Sequence, residues 1–483
     1  MFGDKFPDYI KNLTELLLTR RPTVFLVSLI VTLGIVGVRQ TRGLKVFELA
    51  AYDHLVRLSY PQKPDDRILI VGISESDIQK HQRWPLSDQI IAKLLQQLQQ
   101  HQPKVIGLDV YRDLPQGDGH QKLIEQLQAK NIIVISKGDQ IETDAIAAPP
   151  EVSPEQIGFS DLIVDIDNVI RRNLLYVESP FGQNKFYSLA LRVSLKYLSD
   201  HNITFQATPN GLTLGSASLT PLTPNAGGYR LDASETTGWQ ILLRYRSPHA
   251  IARQVTLTEV LENKIDPSWL KGRVVLIGYT APSVKDVFAT PYSAMQETNY
   301  WMSGVEIHAQ MVSQLLSIAL DGQPQIRILP EWVEWLWIWF WALLGGLLIW
   351  RYNRPSYAIT AIFFVIFSLW VICFILFSQS IWLSGIPATL SIVSTGAIIL
   401  GRKAHYNLYH DSLTNLPNRR SFLKEIRLIK KINPYTSRHL VAILFLNLDR
   451  FKMINKGLSQ QAGDSLLVET AKRLQKFLKN QEK

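Results

Sequence analysis

Three stretches in the last third of this chain constrain its fold more than anything else in it. Trp332–Trp350, Tyr357–Phe377 and Ile381–Leu400 are each about 20 residues long, rich in Trp, Phe, Ile and Leu, and nearly free of charge. A helix rising 1.5 Å per residue needs about 20 residues to cross roughly 30 Å of hydrocarbon. Inside that hydrocarbon the backbone must satisfy its own hydrogen bonds, which a helix does. A fourth run, Pro22–Val38, holds about 17 residues without a charge, just enough to cross. It leads into "RQTRGLKVFELAAYDHL", which reads as a continuing helix and not as the small-residue cleavage site of a signal peptide, so a retained anchor is expected.

Four spans place both ends of the chain on one side of the bilayer. Lys5, Lys11, Arg20 and Arg21 precede the first span, Arg351 and Arg354 separate the second from the third, and Arg402 and Lys403 follow the fourth. The Ser-Gln-Ser link between the third and fourth carries no charge. Because basic residues mark cytoplasmic loops, both termini are expected in the cytoplasm, although Arg39, Arg42 and Lys45 run against that pattern. The expected division is a cytoplasmic stretch over 1–21, a span over 22–39, an extracytoplasmic domain over 40–330, three spans over 331–401, a linker over 402–410 and a cytoplasmic domain over 411–483.

The outer segment contains no cysteine, since Cys373 is the chain's only one and lies in the third span. The domain must therefore hold by burial alone, which a segment of about 290 residues can supply. Net charge is informative once divided: from Arg402 onward there are 17 Lys and Arg against 6 Asp and Glu, so the whole excess of the +10 chain sits in the tail. Such a tail suits an anionic lipid surface or a polyphosphate ligand, and as a solvated basic helix it needs no ligand at all. No motif supports nucleic-acid binding.

Within 40–330, apolar runs alternate with amphipathic ones: strands at 67–73, 105–110 and 131–136, helices at 88–102 and 121–128. Further on come a helix at "SLALRVSLKYLS", strands near "ITFQAT", "GLTLG" and "WQILLRYR", a helix at "LTEVLENK", a strand at "VVLIGYT" and a helix at "EIHAQMVSQLLSIAL" that feeds the second span. This alternation predicts an α/β domain built on a largely parallel sheet and hung from the membrane at both ends, a placement that suits a sensor whose shape change moves helices. The motifs "FELAAYD", "WPLS", "VIGLDV", "DIDNVIRR", "VVLIGYTAPSVKDVFATP" and "SGVEIHAQ" follow in order. Together they resemble the CHASE-type extracellular sensor of the second class, which implies an input domain for an unknown extracytoplasmic ligand.

Asp109, Asp167 and Arg171 are weak candidates for contact with that ligand. Asp109 closes an apolar strand, where an Asp faces a ligand crevice or caps a turn. Asp167 with Arg171 and Arg172 reads as an ion pair holding a turn or as part of a binding site. His308 has Glu306 two residues away and lacks the i, i+4 partner that metal ligation on one helical face uses.

The tail carries two further motifs. "DSLTNLPNRRSF" resembles the opening segment of the GGDEF family, the diguanylate cyclases, with Asp411, Leu413, Thr414, Leu416, Asn418, Arg419 and Arg420 all matching. After a helix and an expected strand, "LVAILFLNL" over 440–448, comes "NLDRFKMINKGLSQQAGDSLL", similar to the family's metal-and-guanine segment. The resemblance implies that Asn455 and Asp464 read guanine: an amide offers donor and acceptor, and a carboxylate accepts from the ring N–H and exocyclic amine. It also implies Mg²⁺ as cofactor, GTP as substrate and a homodimer, since the family joins two GTP molecules, one per subunit, into cyclic di-GMP.

The match is partial. Asn447 stands where the family has a metal-binding Asp, Leu448 where a backbone carbonyl assists, and Asp449 two residues on is a possible substitute ligand on the same strand face. A neutral amide is a weaker ligand for a hard cation. The 483 residues also contain no Gly-Gly-Asp-Glu-Phe segment, so the resemblance implies a truncated α+β domain. Losing roughly 4 kcal/mol of metal stabilisation alone slows a reaction about a thousandfold. The expectation is a sensor on the diguanylate cyclase plan without turnover as written, binding GTP weakly and Mg²⁺ poorly; the alternative is a non-catalytic membrane receptor or scaffold that modulates partner proteins.

Overall fold

A computed structural model describes residues 24–138, 145–178, 185–208, 211–232, 234–248, 250–293, 301–352, 354–432 and 443–481. The chain divides into two compact units. One comprises Leu33–Ile338 with Ile366–Leu390, the other Met1–Thr32, Trp339–Val365 and Ser391–Lys483.

The first unit is organised by a six-stranded sheet: β1 (Ile68–Ile73), β2 (Val105–Asp109), β3 (Ile132–Ser136), β4 (Ile157–Phe159), β5 (Arg253–Thr256) and β6 (Val274–Tyr279). The spatial order is β5-β1-β6-β2-β3-β4 and every pairing is parallel, as the strand–helix alternation predicts. Parallel sheets are covered on both faces, which is why "ILIVGI" is apolar throughout and wholly buried. Successive side chains point to opposite faces: Leu69, Val71 and Ile73 enter one core while Ile68 and Ile70 enter the other.

The helices sort by those faces. The face holding Leu69, Val71 and Ile73 packs against α3 (Asp88–Gln100), α4 (His120–Leu127) and α6 (Leu257–Leu261). Ile91, Leu94, Leu95 and Leu98 form the buried stripe of α3 at i, i+3, i+4 and i+7 spacing. On the opposite face lie α2 (Lys45–Leu58), α5 (Leu189–Leu198) and α7 (Gly304–Leu320). α7 is buried at nearly every position from Gly304 to Ile318, and a capping box starts it: Ser303 N–H and Oγ both reach Glu306 Oε2 at 2.8 Å. Glu306 is therefore occupied in capping the start of the helix, two residues before His308.

One helix expectation fails. α1 (Val24–Gln40) and α2 do not run on as one helix but meet at 91°. Arg42 takes a left-handed backbone, with φ 66°, and the Gly43 N–H reaches back to the Val38 carbonyl at 3.3 Å, closing the helix end. Apolar periodicity continues across this break and so conceals it.

Three helices, α8 (Glu331–Arg351), α9 (Pro355–Ser378) and α10 (Gly385–Tyr409), are long and apolar enough to cross a membrane, and the bent α1–α2 pair would make a fourth. The last run does not begin as helix, since Ile381 and Trp382 pair in parallel with Arg327 and Ile328. α10 then continues as far as Tyr409, through the stretch expected to be a linker. In the second unit Gly346 lets helices close on one another: a Cβ there would lie 2.6 Å from Val24 and 2.9 Å from Thr395.

Beyond α10 come α11 (Arg419–Ile432), α12 (Phe451–Gly457) and α13 (Gln460–Gln481). The strand expected over 440–448 is corrected where it can be followed. Residues 443–448 carry no strand, Leu444 is 87% and Phe445 95% exposed, and 440–442 lie outside the described residues. A strand exists only through ladder partners, and none of the described tail segments supplies one.

Candidate functional site

The opening segment of the tail builds a joint. Asp411 Oδ1 accepts hydrogen bonds from the N–H of Leu413 (3.1 Å) and Thr414 (2.9 Å) and from the Thr414 hydroxyl (2.8 Å). The bond from the Thr414 N–H is the main cause holding the Asp411 carboxyl below its ordinary range. Asn418 caps α11, its Oδ1 accepting from the N–H of Arg420 (2.9 Å) and Ser421 (3.2 Å), while its Nδ2 donates to the Leu408 carbonyl (2.9 Å). One side chain thus ties the end of the membrane-type helix α10 to the start of α11.

The guanine-type residues lie on two helices that meet. Asn455 is on α12, and Asp464 follows Gly463 in the first turns of α13. The Asn455 Oδ1 sits where a Gly463 Cβ would be, 1.8 Å from that point, so only glycine admits this contact. That oxygen is buried and has no hydrogen-bond donor among the described residues. Asn455 is therefore placed beside the residue that precedes Asp464, with an acceptor to spare, and Asp464 is half-buried.

The metal-type residues are less gathered. Asn447 and Asp449 are exposed and Leu448 is half-buried, in a segment without regular structure. Among the described residues no group of three or more His, Cys, Asp or Glu is placed to hold a metal ion. With one carboxylate, one neutral amide and a backbone carbonyl, this donor set does not fit a hard divalent cation.

In the sensor-type unit, Asp167 and Arg171 come together with two further acids, Asp53 at the end of "FELAAYD" and Asp165 at the start of "DIDNVIRR". The Arg171 guanidinium meets Asp53 through Nε and Nη2 (both 2.6 Å), Asp165 through Nη1 (2.9 Å) and Asp167 through Nη2 (2.6 Å). Arg172 and the Tyr229 hydroxyl complete Asp165 at 2.7 and 2.8 Å. Burial works to discharge Arg171 and is overcome by Asp53 and Asp167, so its pKa rises. Asp109 stands apart at the end of β2, its side chain 8% exposed and its Oδ1 3.9 Å from His308 Nε2. Burial pushes its carboxyl up to about 7.

A third cluster, centred on Arg39, was legible only as charge. Its guanidinium reaches Glu48 (3.0 Å), Glu334 (2.6 Å), Ser384 Oγ (2.7 Å) and the Gly227 carbonyl, and Ser384 donates to Glu48 at 2.7 Å. Partners lying 9 to 345 residues away along the chain leave no local signal.

Residues 29–347 match the CHASE2 domain, and residues 408–483 match the diguanylate cyclase GGDEF domain. Among curated proteins, a probable diguanylate cyclase, DgcE, of Escherichia coli is 41% identical over 80 residues, 16% of this chain and 7% of that one. Diguanylate cyclase TpbB of Pseudomonas aeruginosa is 43% identical over 70 residues, 14% of this chain and 16% of that one. Diguanylate cyclase DgcP of Escherichia coli is 35% identical over 74 residues, 15% and 21% respectively. The matched stretch thus spans about a fifth or less of each relative's length. No solved structure matches the chain. With two thirds of its length aligned to that sensor and the GGDEF match following, this chain belongs to the CHASE2-domain family of membrane signal-transduction proteins and carries a GGDEF domain.

Proposed function

We propose that the chain is an inner-membrane sensor of the cyclic di-GMP system, in which residues 40–330 face outward, both termini face the cytoplasm, and the tail reads guanine without competent metal catalysis. The observation that carries this is the pairing of a sensor domain with the Asn455–Gly463–Asp464 contact, which keeps the guanine-type side chains adjacent while Asn447 replaces a metal-binding carboxylate.

The orientation gains support from the basic residues that run against it. Arg39 is paired with Glu48 and Glu334, Arg42 with Asp232, and Lys45 with Glu235 at 3.5 Å. Charges answered by acids on the same side are weak determinants of orientation. A homodimer is the arrangement that the family's two-GTP reaction requires.

Purified chain in detergent, given GTP with Mg²⁺, should form no cyclic di-GMP above a no-enzyme control. Clear turnover sinks the non-catalytic part of the proposal and means either that the tail is aligned wrongly with the family's motif or that Asp449 has taken over the metal. By calorimetry GTP should bind more weakly than micromolar, since two charge-assisted contacts supply roughly 2 to 4 kcal/mol of the roughly 8 kcal/mol needed. Micromolar, guanine-selective binding lost in Asp464→Ala favours the second reading, a nucleotide-sensing receptor acting on partner proteins, to which the Asn447 replacement also points.

A further inference from the structure

The carboxyl ends of β2 and β6, the first turns of α7 and the loop before residue 287 enclose acids that no Lys or Arg among the described residues answers. Asp109 ends β2, and its ion-pair partner among the described residues is His308, at a distance of 3.9 Å that is too long for a hydrogen bond. His308, on the second turn of α7, is 2% exposed and its Nδ1 closes no hydrogen bond with a described residue. The Asp286 carboxylate packs against Gly304, the first residue of α7, while the Asp286 carbonyl accepts the Gly304 N–H at 3.1 Å.

The surroundings are equally short of positive charge. From the end of β2 comes Tyr111, whose hydroxyl pairs with Ser160 Oγ at 2.6 Å. From the segment after β4 come the Ser160 backbone, which faces the His308 ring, and Asp161, whose Oδ2 accepts the Gly138 N–H at 3.0 Å. From the loop before residue 287 comes Asp286, with the exposed Lys285 preceding it. No Lys or Arg charge shifts Asp109, Asp286 or His308. A buried carboxylate so placed needs a cation or must stay protonated. A metal ion needs several ligands gathered together, and no such set exists among the described residues. The proton is the cation that fits.

We propose that Asp109, Asp286 and His308 form a proton-binding site whose occupancy sets how firmly the first turns of α7 are seated on β2 and β6. α7 leads through residues 321–330 into the membrane-type helix α8, so its seating is the quantity a sensor of this kind would transmit.

Burial pushes Asp109 up to about 7, and burial with the Asp109 charge pushes Asp286 up to about 6. Burial lowers His308 to about 4, which keeps the imidazole neutral. The signs follow from which state holds more protons. Between about pH 4 and 6 the folded carboxyls keep protons that unfolded ones release, so both lose stabilisation as pH rises. His308 works the other way, because an unfolded imidazole binds a proton up to about pH 6.5 that the folded one refuses, and it offsets one carboxyl. Above that window Asp109 alone still titrates, and its loss is complete once the pH passes about 7.

The test is hydrogen–deuterium exchange on the full chain in detergent, at about pH 5.5 and about pH 8, with intrinsic exchange rates divided out. Protection of the first half of α7 should fall about tenfold at the higher pH, the effect of one unbalanced proton over one pH unit. Protection of α5 should not change. In Asp109→Asn with Asp286→Asn only His308 is left to titrate, so the α7 difference should reverse, with protection rising at the higher pH. A native chain whose α7 protection ignores pH, or a double variant that keeps the native dependence, overturns the proposal. Should the double variant fail to fold, infrared spectroscopy of the native chain and of Asp286→Asn decides. A protonated-carboxyl band lost as pH rises through about 7, and weaker in the variant, is required. Its absence overturns the proposal.

Discussion

Arg171 shows what a single buried cation does in this molecule. It answers Asp53, Asp165 and Asp167 at once, so Arg171→Met would leave Asp165 to Arg172 and the Tyr229 hydroxyl, Asp167 to the Val169 N–H, and Asp53 to the charge of Arg57. Breaking such a cluster from one side costs about 3–5 kcal/mol, and thermal unfolding of the full chain should fall by several degrees or more, with Arg171→Lys intermediate because it keeps the charge and loses the fork. A melting temperature unchanged in Arg171→Met would mean that the acids are met by something else. Gly463 is the second residue on which much rests. Gly463→Ala places a methyl on the Asn455 oxygen, which must swing aside. GTP binding measured by calorimetry should weaken by at least threefold, while helix content by circular dichroism is kept or slightly raised. The pair Asp167 and Arg171 was legible because both lie in one short stretch that reads as a turn; its link to Asp53, more than a hundred residues earlier, was not.

At the scale of elements, the Arg39 cluster joins the end of α1 to α2, α8 and the segment before α10. Arg39→Met leaves the carboxylates of Glu48 and Glu334 buried without their ion-pair partner, with the charge of Arg230 farther off. The loss should again be about 3–5 kcal/mol, and Glu48→Gln added to Arg39→Met should recover part of it, a coupling that a double-mutant cycle on the unfolding midpoint reads directly. Strictly additive losses would show that Arg39 does not act on Glu48. In the second unit, Lys403 Nζ donates to the carbonyls of Ile349 (2.7 Å), Trp350 (2.6 Å) and Tyr352 (2.9 Å), ending α8 from a turn of α10. Exchange at residues 349–352 should quicken in Lys403→Ala and stay slow in Lys403→Arg. Helix α3 was legible because its stripe is its own, whereas the α1–α2 bend depends on one left-handed residue at Arg42 and on the ion pairs that hold the angle.

For the whole molecule the orientation is the claim most exposed to test. Cys373 is buried, so a Cys373→Ser background makes a clean host for single reporters at the exposed Lys122 and Lys424. A membrane-impermeant maleimide should label Lys122→Cys on intact cells and Lys424→Cys only after lysis; the reverse pattern inverts the topology. The amino-acid sequence alone determined what depends on neighbours along the chain. Apolar runs long enough to cross a bilayer, strand–helix alternation, capping residues and two motif families each state their meaning within a few turns. Tertiary structure alone decided what depends on residues distant in sequence: which acids answer Arg39 and Arg171, why Asp109, Asp286 and His308 share one enclosure with no Lys or Arg partner among the described residues, and why the apolar run 443–448 forms no strand. Burial and electrostatics act through space, and a buried charge is defined by everything that closes over it, which no local stretch of chain records.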